Sequence, residues 1–93
     1  PPQEVKNLLE IALIKRLASK AGFERVRVDK KGAELDFADK KYLDNPALFA
    51  EMERRKNTCR LDASKKLSVQ IGFDGKNASA NLHSLENFLL ALS

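Results

Sequence analysis

The chain has 93 residues, 43% hydrophobic and 32% charged, with 17 basic and 13 acidic side chains and a net charge of +4. This is globular composition. It excludes a disordered segment, a secreted disulfide scaffold and a membrane-spanning helix, because the longest apolar run, Ile11 to Ile14, is far too short to cross a bilayer. A single Cys excludes an internal disulfide, a single Cys with a single His excludes a Cys/His zinc site within one chain, and a reduced, cytoplasmic setting fits.

The chain opens on Pro1-Pro2 without Met and enters a helical pattern at once, so residues 1–93 read as a single domain belonging to a longer protein. Residues 2–21 predict the first helix. Pro2 suits its first turn, and Gly22 suits the left-handed position just past its end. At about 100° per residue, Val5, Leu8, Leu9, Ala12 and Leu13 form one apolar stripe, and Ile11, Ile14, Ala18 and Ala21 form a second on roughly the opposite side. One stripe suffices for a small core. The second packs either on structure outside this chain or within a helix sandwiched in its own domain.

Two strands follow. Residues 25–29 alternate with Val26 and Val28 on one face, and residues 33–37 alternate with Ala33, Leu35 and Phe37 on one face. Lys30-Lys31-Gly32 reads as the hairpin turn, with Gly32 supplying a positive φ. On the other face Arg25 and Arg27 stand against Glu34 and Asp36 as cross-strand charge pairs. Asn45-Pro46 starts a second helix, which runs to about Lys56 and ends in Arg54-Arg55-Lys56, cations that complement the helix dipole. Strands at 58–62, with Cys59 and Leu61 inward, and at 67–73, with Leu67, Val69, Ile71 and Phe73 inward, form a second hairpin. The last helix starts near Ser79 or Asn81 and runs to Leu92, burying Leu82, Leu85, Phe88, Leu89 and Leu92. The expected fold is α+β, in the order α-ββ-α-ββ-α: a four-stranded, mostly antiparallel sheet with three helices packed on one face.

No catalytic constellation emerges. His83 reads as a surface or capping residue and Cys59 as a small buried hydrophobe. The four glycines, at 22, 32, 72 and 75, suit turns, caps and strand ends rather than a phosphate loop. Short basic clusters at Lys30-Lys31, Lys40-Lys41, Arg54-Arg55-Lys56 and Lys65-Lys66 spread the positive charge thinly, with few aromatics between them. The residues therefore describe a non-enzymatic module with a polar sheet face and a spare helix stripe. A small basic nucleic-acid-binding module is the alternative. Ile11, Ile14, Ala18, Arg25 and Arg27 are the candidate partner-interface residues, with no catalytic, cofactor or metal site expected.

The ordered series Pro1-Pro2-Gln3-Glu4-Val5-Lys6-Asn7-Leu8-Leu9-Glu10-Ile11-Ala12, then Arg16-Leu17-Ala18, Gly22, Lys31-Gly32, Leu35, Phe37, Asn45-Pro46-Ala47-Leu48, Arg60-Leu61-Asp62 and Lys66-Leu67 resembles the C-terminal domain of the bacterial transcription-repair coupling factors. The resemblance covers most of the chain and fades after about residue 73. It departs at Ala12-Leu13-Ile14, where the family commonly has Ala-Arg-Leu, so this helix loses a basic residue and gains apolar surface. The resemblance implies a parent that is an ATP-dependent DNA translocase, which pushes stalled RNA polymerase off damaged DNA and recruits UvrA for nucleotide excision repair. It implies that this domain is a non-catalytic regulatory clamp that docks on the parent's N-terminal UvrB-like module. ATP and magnesium would belong to translocase domains outside this chain. An upstream helix of the parent would then be an owner for the second stripe.

Overall fold

The computed structural model describes residues 2–93; Pro1, the first residue of the series quoted above, lies outside them. Helix α1 spans Gln3–Ala21, strands β1 and β2 span Phe23–Val28 and Gly32–Phe37, helix α2 spans Pro46–Arg54, strands β3 and β4 span Cys59–Asp62 and Ser68–Gly72, and helix α3 spans Ala78–Ala91. A short 3-10 turn at Lys40–Leu43, which the sequence reading does not anticipate, precedes α2.

Local chemistry sets these boundaries. The Pro2 carbonyl accepts from the Val5 and Lys6 amides and starts α1. Gly22 ends it in the left-handed conformation, φ 99°, with the Tyr42 ring packed where a Cβ would stand. Asn45 caps α2 by accepting from the Ala47 amide at 3.0 Å. Asn77 caps α3 by accepting from the Ala80 amide at 2.9 Å, so this helix starts slightly before the predicted Ser79. The β1–β2 turn departs from expectation: Gly22 is the positive-φ glycine, and Gly32 is a strand residue whose lack of a Cβ lets β2 approach the Ile71 carbonyl of β4. Asp29 makes the turn instead, its Oδ1 accepting from the amides of Lys31 at 2.7 Å and Gly32 at 3.0 Å.

The sheet order is β1-β2-β4-β3, and every ladder is antiparallel. Each hairpin pairs with itself, and the two hairpins join through β2 and β4. Val26 faces Leu35, Leu35 faces Val69, and Val69 faces Leu61, so a single apolar row crosses all four strands. Ala33, Leu35, Phe37, Val69 and Ile71 from this face are buried against Ile14 and Ala18 of α1, Leu48 of α2, and Leu82, Leu85, Phe88 and Leu89 of α3. Val28, near the end of edge strand β1, stays 38% exposed. Phe49 of α2 is half exposed. The fold class matches the expectation, and none of the helices among the described residues is long and apolar enough to cross a membrane.

Candidate functional site

Helix α1 presents two apolar faces, and the structure assigns them in a definite way. Ile14 and Ala18 are each 1% exposed and belong to the core, with Ile11 and Ala21 half-buried beside them. Ile14 and Ala18, enclosed by their own domain, present no open surface, whereas Ile11 keeps part of its side chain in solvent. The other stripe is the open one. Leu8 and Leu9 are 66% exposed and Val5 is 42% exposed. Sequence periodicity locates both stripes but does not rank them.

The polar sheet face carries the other two candidates. Arg27 reaches both Glu34, as an ion pair, and Asp36, at 3.2 Å. Gln70 links Glu34 at 3.0 Å to Asp62 at 2.7 Å, and Arg60 donates to Gln70 at 2.9 Å. Asp36 is only 2% exposed, so Arg27 is largely spent on holding this face together. Arg25 lies opposite Asp36 in register, yet forms no ion pair among the described residues. The Ser64 amide and its side chain hold the Asp62 carboxyl below its ordinary range, with Arg60 and Gln70 adding to the effect. At the far end of the sheet a wide groove is bordered by Arg27, Lys31, Lys56 and Arg60, together with the carboxylates of Asp29 and Glu34. Its mixed charge, with partly buried Phe73 as the one aromatic ring in its lining, makes it a poor platform for nucleic acid.

A further cluster lies between α1 and α3. Glu10 Oε2 is buried without a hydrogen-bond donor and sits 3.4 Å from His83 Nε2. Burial, above all, pushes the Glu10 carboxyl up from its ordinary value; the neighbouring Glu86 carboxyl adds to this, and His83 opposes it. Sequence reading missed this cluster because its members are 73 and 76 residues apart. His83 is a surface residue, as expected, but Asn77 rather than His83 caps the helix. A raised carboxyl pKa means that the fold is most stable below the unfolded value, near 4.5, and loses that stability as pH rises through the folded value. Glu10→Gln is therefore expected to stabilise the domain by about 1 kcal/mol at pH 7 and to leave it nearly unchanged at pH 4, as read by urea melts at both values.

The basic end of α2 has a role beyond the helix dipole. Glu51, 8% exposed, accepts two hydrogen bonds from Arg54, at 2.7 and 2.8 Å, and one from Arg55 at 3.2 Å. The Arg54 contact is the main reason that its carboxyl lies below the ordinary range. Arg55 goes on to donate to Ser84 Oγ at 3.0 Å and to the Ser84 carbonyl at 3.2 Å, tying α2 to α3. Burial pushes the Cys59 thiol up to about 11, so at neutral pH it is a protonated core side chain. No cluster of His, Cys, Asp and Glu among the described residues could hold a metal ion.

Residues 1–48, the segment that contains α1, the first hairpin and the start of α2, match the model of the TRCF domain. A transcription-repair-coupling factor of Buchnera aphidicola subsp. Baizongia pistaciae (strain Bp) is 26% identical over 92 residues, an alignment covering 99% of this chain. The chain spans 13% of the length of that relative.

Proposed function

The chain belongs to the TRCF domain family, and from that premise we propose that it is the regulatory interaction domain of a transcription-repair coupling factor. In this reading the parent is an ATP- and magnesium-dependent DNA translocase that removes stalled RNA polymerase and recruits UvrA for nucleotide excision repair. The domain itself performs no catalysis. It docks on the parent's N-terminal UvrB-like module, covers the surface that UvrA uses, and restrains the motor in the cytoplasm until the parent is engaged.

The observation that carries the proposal is the family match over α1, together with what α1 presents. A pair of leucines exposed on the solvent side of the longest helix is what a docking domain presents and what an isolated globule usually avoids. The sheet face is held by its own ion pairs and hydrogen bonds, which favours docking through a helix rather than through the sheet.

The domain added in trans to the UvrB-like module is expected to displace fluorescently labelled UvrA in a dose-dependent manner. UvrA retention at saturating domain would contradict the clamp. In the same assay, steeply salt-dependent micromolar binding of the domain to duplex DNA would favour the nucleic-acid-binding alternative.

A further inference from the structure

The sheet has two outer strands, β1 and β3, each paired on one side only. Hydrogen-bond parity fixes which backbone groups of each turn outward. The Gly72 amide donates to the Thr58 carbonyl, so in the β3–β4 ladder Arg60 and Asp62 turn their backbone groups to β4, and Leu61 turns its amide and carbonyl away. The Cys59 amide, which also turns away, donates to the Arg55 carbonyl at 2.9 Å; Leu61 has no backbone partner outside the sheet among the described residues. In β1 the Asp29 amide donates to the Gly32 carbonyl, so there Val26 and Val28 turn outward.

An outer strand is a template for a further strand, and its side chains decide whether a second copy can supply one. Antiparallel pairing of β1 with itself, centred on Arg25, Val26 or Arg27, sets arginine against arginine in every case. Like charges therefore guard that edge. The β3 edge is built differently. Centred on Arg60 or Asp62, self-pairing again joins like charges. Centred on Leu61, it sets Leu61 against Leu61 and Arg60 of each copy against Asp62 of the other. Arg60 is exposed and bonded to Gln70 at 2.9 Å, which leaves donors of its guanidinium free. Asp62, held below its ordinary carboxyl range, is ionised at neutral pH.

We infer that β3 is a self-association edge: two copies of this domain pair their β3 strands antiparallel about a two-fold axis at Leu61, joining their sheets into one. Each Leu61 amide donates to the other copy's Leu61 carbonyl. Two Arg60–Asp62 ion pairs close on the polar face, and the half-buried Leu61 side chains meet on the face that carries the core. The charge pattern is symmetric about Leu61, as an isologous contact demands and an unrelated strand does not. A strand this short makes a contact of the transient class, with a dissociation constant on the order of 100 μM. Head-to-tail pairing of β1 on β3 would instead give open filaments, and Arg27, which it would need, is already engaged with Glu34 and Asp36. β3 lies at the edge of the sheet remote from β1, beside which α1 packs, so the inference stands or falls apart from the docking proposed above.

The test is analytical ultracentrifugation of the chain over a dilution series from about 1 μM to about 1 mM, with amide exchange read by NMR across the same series. The wild type is expected to pass from monomer to dimer. Exchange of the Leu61 amide should slow as the dimer fills, while that of the outward Val26 amide in β1 stays unchanged. Arg60→Glu and Asp62→Lys should each weaken dimerisation about tenfold or more, because each sets like charges together twice. An equimolar mixture of the two variants should dimerise better than either alone, since both cross-strand pairs then join opposite charges. A monomer throughout the series overturns the inference. So does a dimer whose Leu61 amide is indifferent to concentration, a dimer that both variants leave intact, or assembly beyond two copies. Should Asp62→Lys lose its fold in urea melts, through loss of its bonds to Ser64 and Gln70, the Arg60→Glu shift and the wild-type Leu61 exchange decide by themselves.

Discussion

Ile14→Glu is expected to unfold the domain. Ile14 is 1% exposed on the inner side of α1, packed in the cluster that joins this helix to the sheet and to α3. Removing a core isoleucine costs about 2–5 kcal/mol through lost burial and the cavity left behind. A glutamate adds a carboxylate that has no cation to meet there and must be either desolvated or extruded. Together these exceed about 4 kcal/mol, a large share of the stability of about 5–14 kcal/mol expected for a domain of this size. The variant should show a lost or strongly lowered urea midpoint by circular dichroism, and a shift below 0.5 kcal/mol would return Ile14 to the surface. Against this, Leu8→Glu on the opposite side of the same helix should leave the melt unchanged.

The second large effect is expected at Leu35. It is fully buried in β2, an inner strand, facing Val26 of β1 on one side and Val69 of β4 on the other. Its side chain lies at the middle of the apolar row that α1 and α3 cover. Leu35→Ala should cost about 2–5 kcal/mol, because a site held by neighbours in three elements cannot collapse onto the cavity. Val28→Ala, on the same face but 38% exposed near the end of the edge strand, should cost under about 1 kcal/mol. A urea series reporting equal losses at the two positions would refute the register across the sheet.

Much of this was legible in the sequence because strict alternation has one interpretation in a half-covered sheet. Leu35 and Phe37, Val69 and Ile71, and the Leu82-Leu85-Phe88-Leu89 stripe fall where period 2 and period 3.6 place them. What the sequence left open was a choice between two patterns of equal strength. Both stripes of α1 have the right spacing, and only the position of the sheet decides that Ile14 and Ala18 turn inward while Leu8 and Leu9 stay in water. Similarly, the β1–β2 turn was read from Gly32 because glycine is the usual turn residue. The work is done by Asp29, whose carboxylate accepts two backbone amides and removes the need for a positive φ. The contacts between distant segments, Glu10 with His83 and Arg55 with Ser84, leave no local signature, since neither partner belongs to a motif.

The departure at Ala12-Leu13-Ile14 is clarified by the same geometry. Ile14 fills the core, and half-buried Leu13 lies on the side of α1 that borders Glu10 and His83. The loss of a basic residue there therefore extends the apolar half of α1 without opening the core.

The measurement that tests the account most directly is a calorimetric titration of this domain into the UvrB-like module of its own parent protein. The account predicts saturable one-to-one binding, with the negative heat-capacity change of apolar burial, that is lost for Leu8→Glu/Leu9→Glu while that variant remains folded. Absence of heat with the folded wild-type domain, across a range of temperatures and at low salt, would contradict it.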